Sequence, residues 1–331
     1  MQKCTCQQRS LRIDYKQFLN RFQYLTMMFK KIKKYYGVAA LLPLLAVLLV
    51  QCDKIEGPVH QAQSSTVDTT CDFAPDNSPA RKKVLIEEFT GFLCGNCPIG
   101  SVYLNDTLKP LYGDSLIVIS VHAGSFSVPC GNTGSVCPSG VPSGSFTTDF
   151  KCATGQDWFT QFGVSWYPVG IVDRTGYPTS MLSAKTQWKT KIINEFARAP
   201  EARIRIQNTY DDATRKLRTC VETKFINAGT DTLKLQVVLL EDSVPDWQLW
   251  YNHAPSEYVE NYMHRHILRT DLNGSFGTTL VSGTFAADST IVSGYTSTIN
   301  PAWNENHCIV VAFVYDAGNF RVLQAEEMHV K

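Results

Sequence analysis

Two cysteines stand two residues apart in "EEFTGFLCGNCPIG", Glu87 to Gly100. A pair at this spacing can do three kinds of chemistry. As a dithiol it exchanges electrons with another disulfide, the Cys94 thiolate attacking and Cys97 resolving the mixed disulfide. As thiolates it supplies half of a zinc site. As a formed disulfide it staples a loop in an exported protein. Zinc takes four ligands, typically two such pairs, and the sequence has no second Cys-x-x-Cys. Metal is therefore the weakest of the three, and neither a metal nor another cofactor is expected.

The other nine cysteines lie at 4, 6, 52, 71, 130, 137, 152, 220 and 308, and so many suit an oxidising compartment. The start of the chain fits that location. Lys30, Lys31, Lys33 and Lys34 precede an apolar run of fourteen residues, Gly37 to Val50. A membrane span needs about 20 residues, whereas this length suits a signal-peptide core. The run stops at Leu49-Val50-Gln51-Cys52, which resembles a lipobox, in which the cysteine is acylated after cleavage. The expected layout is a start at Met27 or Met28, with 1–26 untranslated, a signal peptide over 27–51, lipid on Cys52, and a polar tether over 52–80. The partner so implied is a membrane, reached through lipid, in the cell envelope and most simply at the outer membrane.

Charge narrows the partners further. Of 31 basic and 30 acidic residues, nine and one fall in 1–51, which leaves 22 and 29, a net of −7 on the rest. That balance does not suit nucleic acid.

The elements around the cysteine pair read as strand, helix, strand, helix, strand, helix. "KKVLIEEFT" is a buried strand. The segment after Pro98 is a helix with proline in its first turn, where the missing N–H costs nothing. "SLIVISVHAG" is a second strand, "DWFTQFGV" a short helix, "WYPVGIVDRTG" a strand, and "AKTQWKTKIINEFARA" an amphipathic helix. The expectation is an α/β unit over 81–199, with a Gly-, Ser- and Pro-rich insertion over 125–155 that carries Cys130, Cys137 and Cys152 and could cover the dithiol.

This unit resembles the thioredoxin superfamily. The resemblance rests on Cys94-Gly95-Asn96-Cys97-Pro98 at a strand-to-helix junction, on Glu88 six residues before Cys94, and on Tyr167-Pro168 opening a later strand. It implies catalytic Cys94 and Cys97, a buried Glu88 that exchanges a proton with Cys97, and a cis Pro168 that faces the pair. Leu93 stands where thioredoxins carry Trp. Elementary chemistry agrees with these roles. A helix N-terminus favours a thiolate, and burial raises a carboxyl pKa so that Glu88 can hold a proton.

Residues 200–331 read as about seven strands with no helical pattern, an all-β immunoglobulin-like sandwich. Cys220 and Cys308 each lie inside a strand. The favoured pairing is 220–308, with Cys71 joining Cys130, Cys137 and Cys152. "VPDWQLWYNHAPSEYVENYMH" is an aromatic connection whose Trp247, Trp250 and Tyr251 are candidate ligand-binding residues, or else pack on the sandwich edge. His264 and His266, at i and i+2, would share one strand face.

The whole layout, with "EEFTGFLCGNCP", "YPVGIVDR", "EARI", "LLED" and "HRHILR" in this order, resembles the twenty-eight-kilodalton outer-membrane lipoprotein family of Bacteroides-type bacteria. Two functions are expected from these readings. One is an envelope thiol–disulfide oxidoreductase acting on disulfide-bearing proteins. The other is a surface-binding or adhesion lipoprotein whose dithiol is structural.

Overall fold

The computed structural model describes residues 71–331 except residue 77. The expected start, the signal peptide, Cys4, Cys6, the lipid-bearing Cys52 and the tether up to residue 70 lie outside the described residues.

β1 (Val84–Thr90) is buried along its whole length, including Glu87 and Glu88 between its apolar residues. It pairs in parallel with β2 (Leu116–His122) and antiparallel with β3 (Val169–Val172), which pairs with the short β4 (Leu182–Ser183). Between β1 and β2 lie α1 (Cys97–Tyr103), a π-helical turn (Leu104–Leu108) and α2 (Lys109–Tyr112). α3 (Ala153–Gln161) precedes β3 and α4 (Lys185–Phe196) follows β4.

The chain continues as β5 (Ala202–Asp211), β6 (Lys216–Phe225), β7 (Thr232–Glu241), β8 (Val244–Leu249), β9 (Tyr258–His264) and β10 (Ile267–Asp271). It ends with β11 (Thr278–Ser282), β12 (Thr290–Thr298), β13 (Cys308–Asp316) and β14 (Val322–His329). The part after residue 200 thus has ten strands rather than about seven. β12, β6 and β5 form one sheet, which packs through a shared apolar core on β7 and β13 of the large sheet. The chain is therefore mixed α/β followed by a β-sandwich.

No gap separates the two parts. The large sheet runs β14-β13-β7-β10-β2-β1-β3-β4, and the seam is β10 on β2, where the Ser120 N–H donates to the His266 carbonyl at 2.8 Å.

β1 presents its alternate residues to two different cores. Leu85 and Phe89 face a core shared with Trp158 of α3 and with Val311 and Phe313 of β13. Val84 and Ile86 face Leu104 and Leu108 of the π turn and Trp188 of α4. Glu87 lies on the first face and Glu88 on the second, since neighbours on a strand point oppositely. Glu87 accepts two hydrogen bonds from Arg174, 2.8 and 2.6 Å, and both side chains are fully buried. The guanidinium lies over the rings of Trp158, Phe162, Phe313 and Tyr315 at 4.7 to 5.4 Å. Two of these rings come from before residue 200 and two from after it.

The same alternation overturns the expected disulfides. Leu217, Val221 and Phe225 of β6 point into the sandwich core, so Cys220 points out of it. Cys308 lies in that core. The two cannot meet. Cys220 bonds instead to Cys71, with Cα atoms 5.7 Å apart. Cys71 therefore does not join the insertion, where Cys130 bonds to Cys137, while Cys152 and Cys308 are free. Cys152 caps α3, its sulfur accepting from the Gly155 N–H at 3.3 Å. The end of the expected tether is likewise strapped down. Arg203 donates to the Asp76 carbonyl at 2.6 Å, and Arg205 donates to the Ala74 carbonyl and lies over the Phe73 ring.

Two substitutions test this packing. Arg174→Ala leaves Glu87 buried without its partner and should lower stability by about 3–5 kcal/mol in denaturant titration. The double variant Glu87→Leu, Arg174→Met should lose much less; equal losses would contradict the argument. Gly100→Ala places a methyl 2.9 Å from both Glu88 Oε1 and Trp188 Cη2. A helical Ala gains about 0.5–1 kcal/mol over Gly, whereas overpacking costs about 1–3 kcal/mol. The net effect should therefore be a lower unfolding midpoint, and a raised one would be inconsistent with the close packing.

Candidate functional site

Cys94 and Cys97 are joined by a disulfide at the start of α1, with Pro98 in its first turn. The Cys94 N–H donates to the Gly91 carbonyl and the Cys97 N–H to the Cys94 carbonyl, which winds the loop tightly into the helix. Gly100 and Ser101 follow Cys97 at i+3 and i+4, on the same helix face.

That face meets Glu88. The Ser101 hydroxyl lies 3.0 and 3.1 Å from the two Glu88 carboxyl oxygens, and the Ser120 hydroxyl also reaches the carboxyl. No cation is hydrogen-bonded to Glu88 among the described residues. Burial therefore dominates over the two hydroxyls and pushes its pKa up to about 8. Glu88 is thus mainly protonated at neutral pH.

Pro168 closes the third side. The Tyr167–Pro168 bond is cis, and the ring of Pro168 lies 3.2 Å from where a Gly100 side chain would begin. Glu88, Pro168, α1 and Trp188 of α4 therefore converge on Gly100. Gly170, paired with Glu88 in the sheet, must lack a side chain because the Trp188 indole occupies that space.

The outer side is covered. Cys94 is 4% exposed and Cys97 1% exposed. The insertion contributes Phe126, whose carbonyl accepts from the Leu93 N–H at 3.0 Å, and Phe146 and Phe150, which pack on Phe92. The aromatic connection is a hairpin, β8 on β9. Its Leu249 N–H donates to the Phe92 carbonyl at 2.8 Å and its Tyr251 N–H to the Gly95 carbonyl at 2.9 Å. The Tyr251 ring lies against Gly95, 2.5 Å from where a side chain there would begin. The Gln248 amide donates to the carbonyls of Cys94 at 3.2 Å and Leu249 at 2.7 Å.

The candidate residues of this connection therefore divide. Trp247 packs under the hairpin against Phe146. Trp250 stacks on His253 at 4.5 Å. Tyr251, 45% exposed, stands over the dithiol loop. The hairpin packs on that loop, not on the sandwich edge.

The expected His264/His266 face does not form. β9 ends at His264, and His266 takes a left-handed turn (φ 52) before β10. His264 instead meets His122 of β2, ring to ring at 5.5 Å, beside Phe150. Burial lowers both pKa values, that of His264 to about 4, so the pair is neutral at pH 7. Sequence reasoning missed Ser101, Ser120, His122, Gln248 and Arg174. Ser101 was detectable as the i+4 partner of Cys97; the others are brought in by tertiary packing.

The solved structure of HBP35 of Porphyromonas gingivalis superposes with a TM-score of 0.55 at 18% identity, over 76% of each chain. That likeness bears on the fold. A domain of the outer membrane lipoprotein Omp28 from Porphyromonas gingivalis aligns at 21% identity over 40% of this chain and 91% of its own, with a TM-score of only 0.26. No curated protein matches in sequence. Residues 156–331, which include Pro168 and the hairpin but not the dithiol, match the family model of the outer membrane protein Omp28. The match spans more than half of the chain, which thus belongs to the Omp28 family of outer membrane proteins.

Proposed function

We propose that the protein is an outer-membrane thiol–disulfide oxidoreductase, held to the membrane by lipid on Cys52, whose β2-β1-β3-β4 sheet with α1 and α4 is a thioredoxin-like unit. The observation that carries this is the uncompensated Glu88. A buried carboxyl without a cation is costly to keep, and here it lies beneath the helix face that bears Cys97, beside a cis proline. Its pKa of about 8 matches that of a thiol, about 8.5, so a proton passes between Glu88 and Cys97 at little cost.

The reaction then runs as follows. A substrate thiolate attacks Cys94 Sγ, the 94–97 bond breaks, and the leaving Cys97 sulfur takes the Glu88 proton. The second substrate thiolate attacks the substrate sulfur bound to Cys94, releasing the Cys94 thiolate and an oxidised substrate. Two electrons pass to the protein. In reverse, the Cys94 thiolate attacks a substrate disulfide and Cys97, deprotonated by Glu88, resolves it.

Burial of Cys94 and Cys97 favours a second reading, a surface-binding lipoprotein in which the disulfide is structural. The two readings differ in redox potential. A structural disulfide lies below about −300 mV, whereas an exchanging one titrates nearer −200 mV. Cys97→Ala should trap mixed disulfides in the envelope through Cys94. A potential below −300 mV together with an empty trap would sink the oxidoreductase reading.

Glu88 also makes a pH prediction. Its folded pKa of about 8 lies above the ordinary 4.5, so the folded state keeps a proton that the unfolded state has lost. Its effect on stability is most favourable below pH 4.5 and worsens as pH rises to about 8. Glu88→Gln keeps the hydroxyl contacts and cannot ionise. Its stability relative to the wild type should improve by up to about 1.4 kcal/mol per pH unit across that window. Parallel pH profiles of the two proteins in denaturant titration would show that Glu88 is not held protonated.

A further inference from the structure

We infer that the tip of the β8–β9 hairpin occupies the substrate position of the dithiol, and that the substrates are extended polypeptide segments able to take over its backbone hydrogen bonds. This rests on the oxidoreductase reading of Cys94 and Cys97.

The geometry carries the inference in three steps. First, the contacts are those of a peptide ligand. Leu249 and Tyr251, two residues apart, turn their N–H groups to the carbonyls of Phe92 and Gly95, which flank Cys94. Donors at alternate residues of an extended segment are what a docking strand presents. The hairpin's own ladder ends at Leu249 paired with Tyr258, so Tyr251 lies in the connecting loop and makes its bond to the dithiol loop instead. Second, among the described residues the nearest side-chain atoms over Gly95 are those of Tyr251. The Tyr251 ring fills the space over Gly95, where any side chain on the dithiol loop would collide with it. Gly95 is therefore fitted to an aromatic ring that belongs to the same chain. Third, the cover is removable. Tyr251 is 45% exposed and the neighbouring Asn252 takes a left-handed φ of 60. The deeper hairpin is anchored separately, with Trp247 and Tyr258 packed on Phe146. Lifting the tip breaks the contacts of Tyr251 and leaves that anchor in place.

Tyr251 is then the residue that decides access, and Gln248 the one that positions the loop, since its amide bridges the Cys94 carbonyl and the hairpin backbone. A small thiol can reach Cys94 only when the tip is open. An extended peptide can pair with the Gly95 carbonyl as the tip leaves, and so offsets the lost bond. The electron transfer is unchanged: the peptide's two thiols become a disulfide, and the 94–97 bond becomes a dithiol.

The test uses the full chain, oxidised, with dithiothreitol and a synthetic extended peptide carrying two cysteines as reductants. In the wild type the peptide should react faster. Tyr251→Ala keeps the backbone N–H but removes the ring packed on Gly95; it should speed dithiothreitol by about tenfold, the weight of part of one buried aromatic side chain, and narrow the peptide's advantage. Equal rates for wild type and variant with both reductants would overturn the inference, because the dithiol would then react without the tip mattering. Inertness of the 94–97 bond in both proteins, with reduction only after unfolding, would instead overturn the oxidoreductase reading itself. A second measurement does not depend on the variant's folding. In Cys97→Ala joined to the peptide through Cys94, the Tyr251 amide should lose its protection from hydrogen exchange, while Leu249, buried with Phe92 and paired with Tyr258, and the rest of β8 keep theirs. Retained protection at Tyr251 would show that the tip never leaves.

Discussion

The rest of the molecule depends on how β1 buries two adjacent carboxyl groups. The strand is central, so both of its faces are dry, and alternation sends Glu87 to one and Glu88 to the other. Desolvating a carboxylate costs several kcal/mol, and the protein meets that cost in two different ways. Glu87 accepts a bidentate pair of hydrogen bonds from Arg174. Glu88 receives only hydroxyls and keeps its proton. Identical side chains, next to each other in sequence, thus end in opposite kinds of environment. One is paired with a buried guanidinium, and the other is held protonated beneath α1.

The Arg174 side of this arrangement ties the two parts of the chain together. The guanidinium has one nitrogen, Nη1, without a hydrogen-bond partner, and it sits among four aromatic rings. Cation–ring attraction of about 0.5–2 kcal/mol, at the upper end when desolvated, offsets part of that deficit. Phe313 and Tyr315 come from β13, so the environment of the Glu87–Arg174 pair is completed only when the sandwich is docked. The seam of β10 on β2 does the same for the backbone, covering a parallel strand edge that would otherwise be open. The α/β part is in this sense an incomplete fold without the sandwich.

What could be read in the sequence follows the range of the interactions. Cys94, Cys97, the Pro98 helix start and the strand around Glu88 are set by local pattern, and each falls where that pattern places it. The disulfides are not local. Cys220 and Cys308 both lie in strands, but whether they meet depends on the face each takes. The burial of Leu217 and Val221 fixes that face only once β6 is seen against β13. Cys71 sat in a stretch with the composition of a tether, and nothing in that composition announces Arg203 and Arg205 waiting on the outer face of β5. The hairpin was hidden for a related reason. Its two strands are amphipathic against the dithiol loop rather than against a core, so Trp247 and Tyr258 look like surplus aromatics until Phe92, Phe146 and Phe150 are placed beneath them.

The placement of that hairpin also bears on the proton at Glu88. Tyr262 of β9 shares the Ser101 hydroxyl with Glu88, and burial raises the phenol pKa so that it stays neutral. Gln248, His122 and His264, all uncharged at neutral pH, line the same polar cleft as Ser101 and Ser120. The hairpin therefore does more than shield sulfur. It completes a shell of neutral hydrogen-bonding groups around a neutral acid, with Arg265 at its rim. In such a shell the cost of ionising Glu88 stays high, because burial outweighs the hydroxyls of Ser101 and Ser120 that act on it. A shell with a lysine or arginine at Ser101 would lower the Glu88 pKa and end its match to a thiol. The sandwich, through one hairpin, thus helps set the acidity of the carboxyl buried beneath α1.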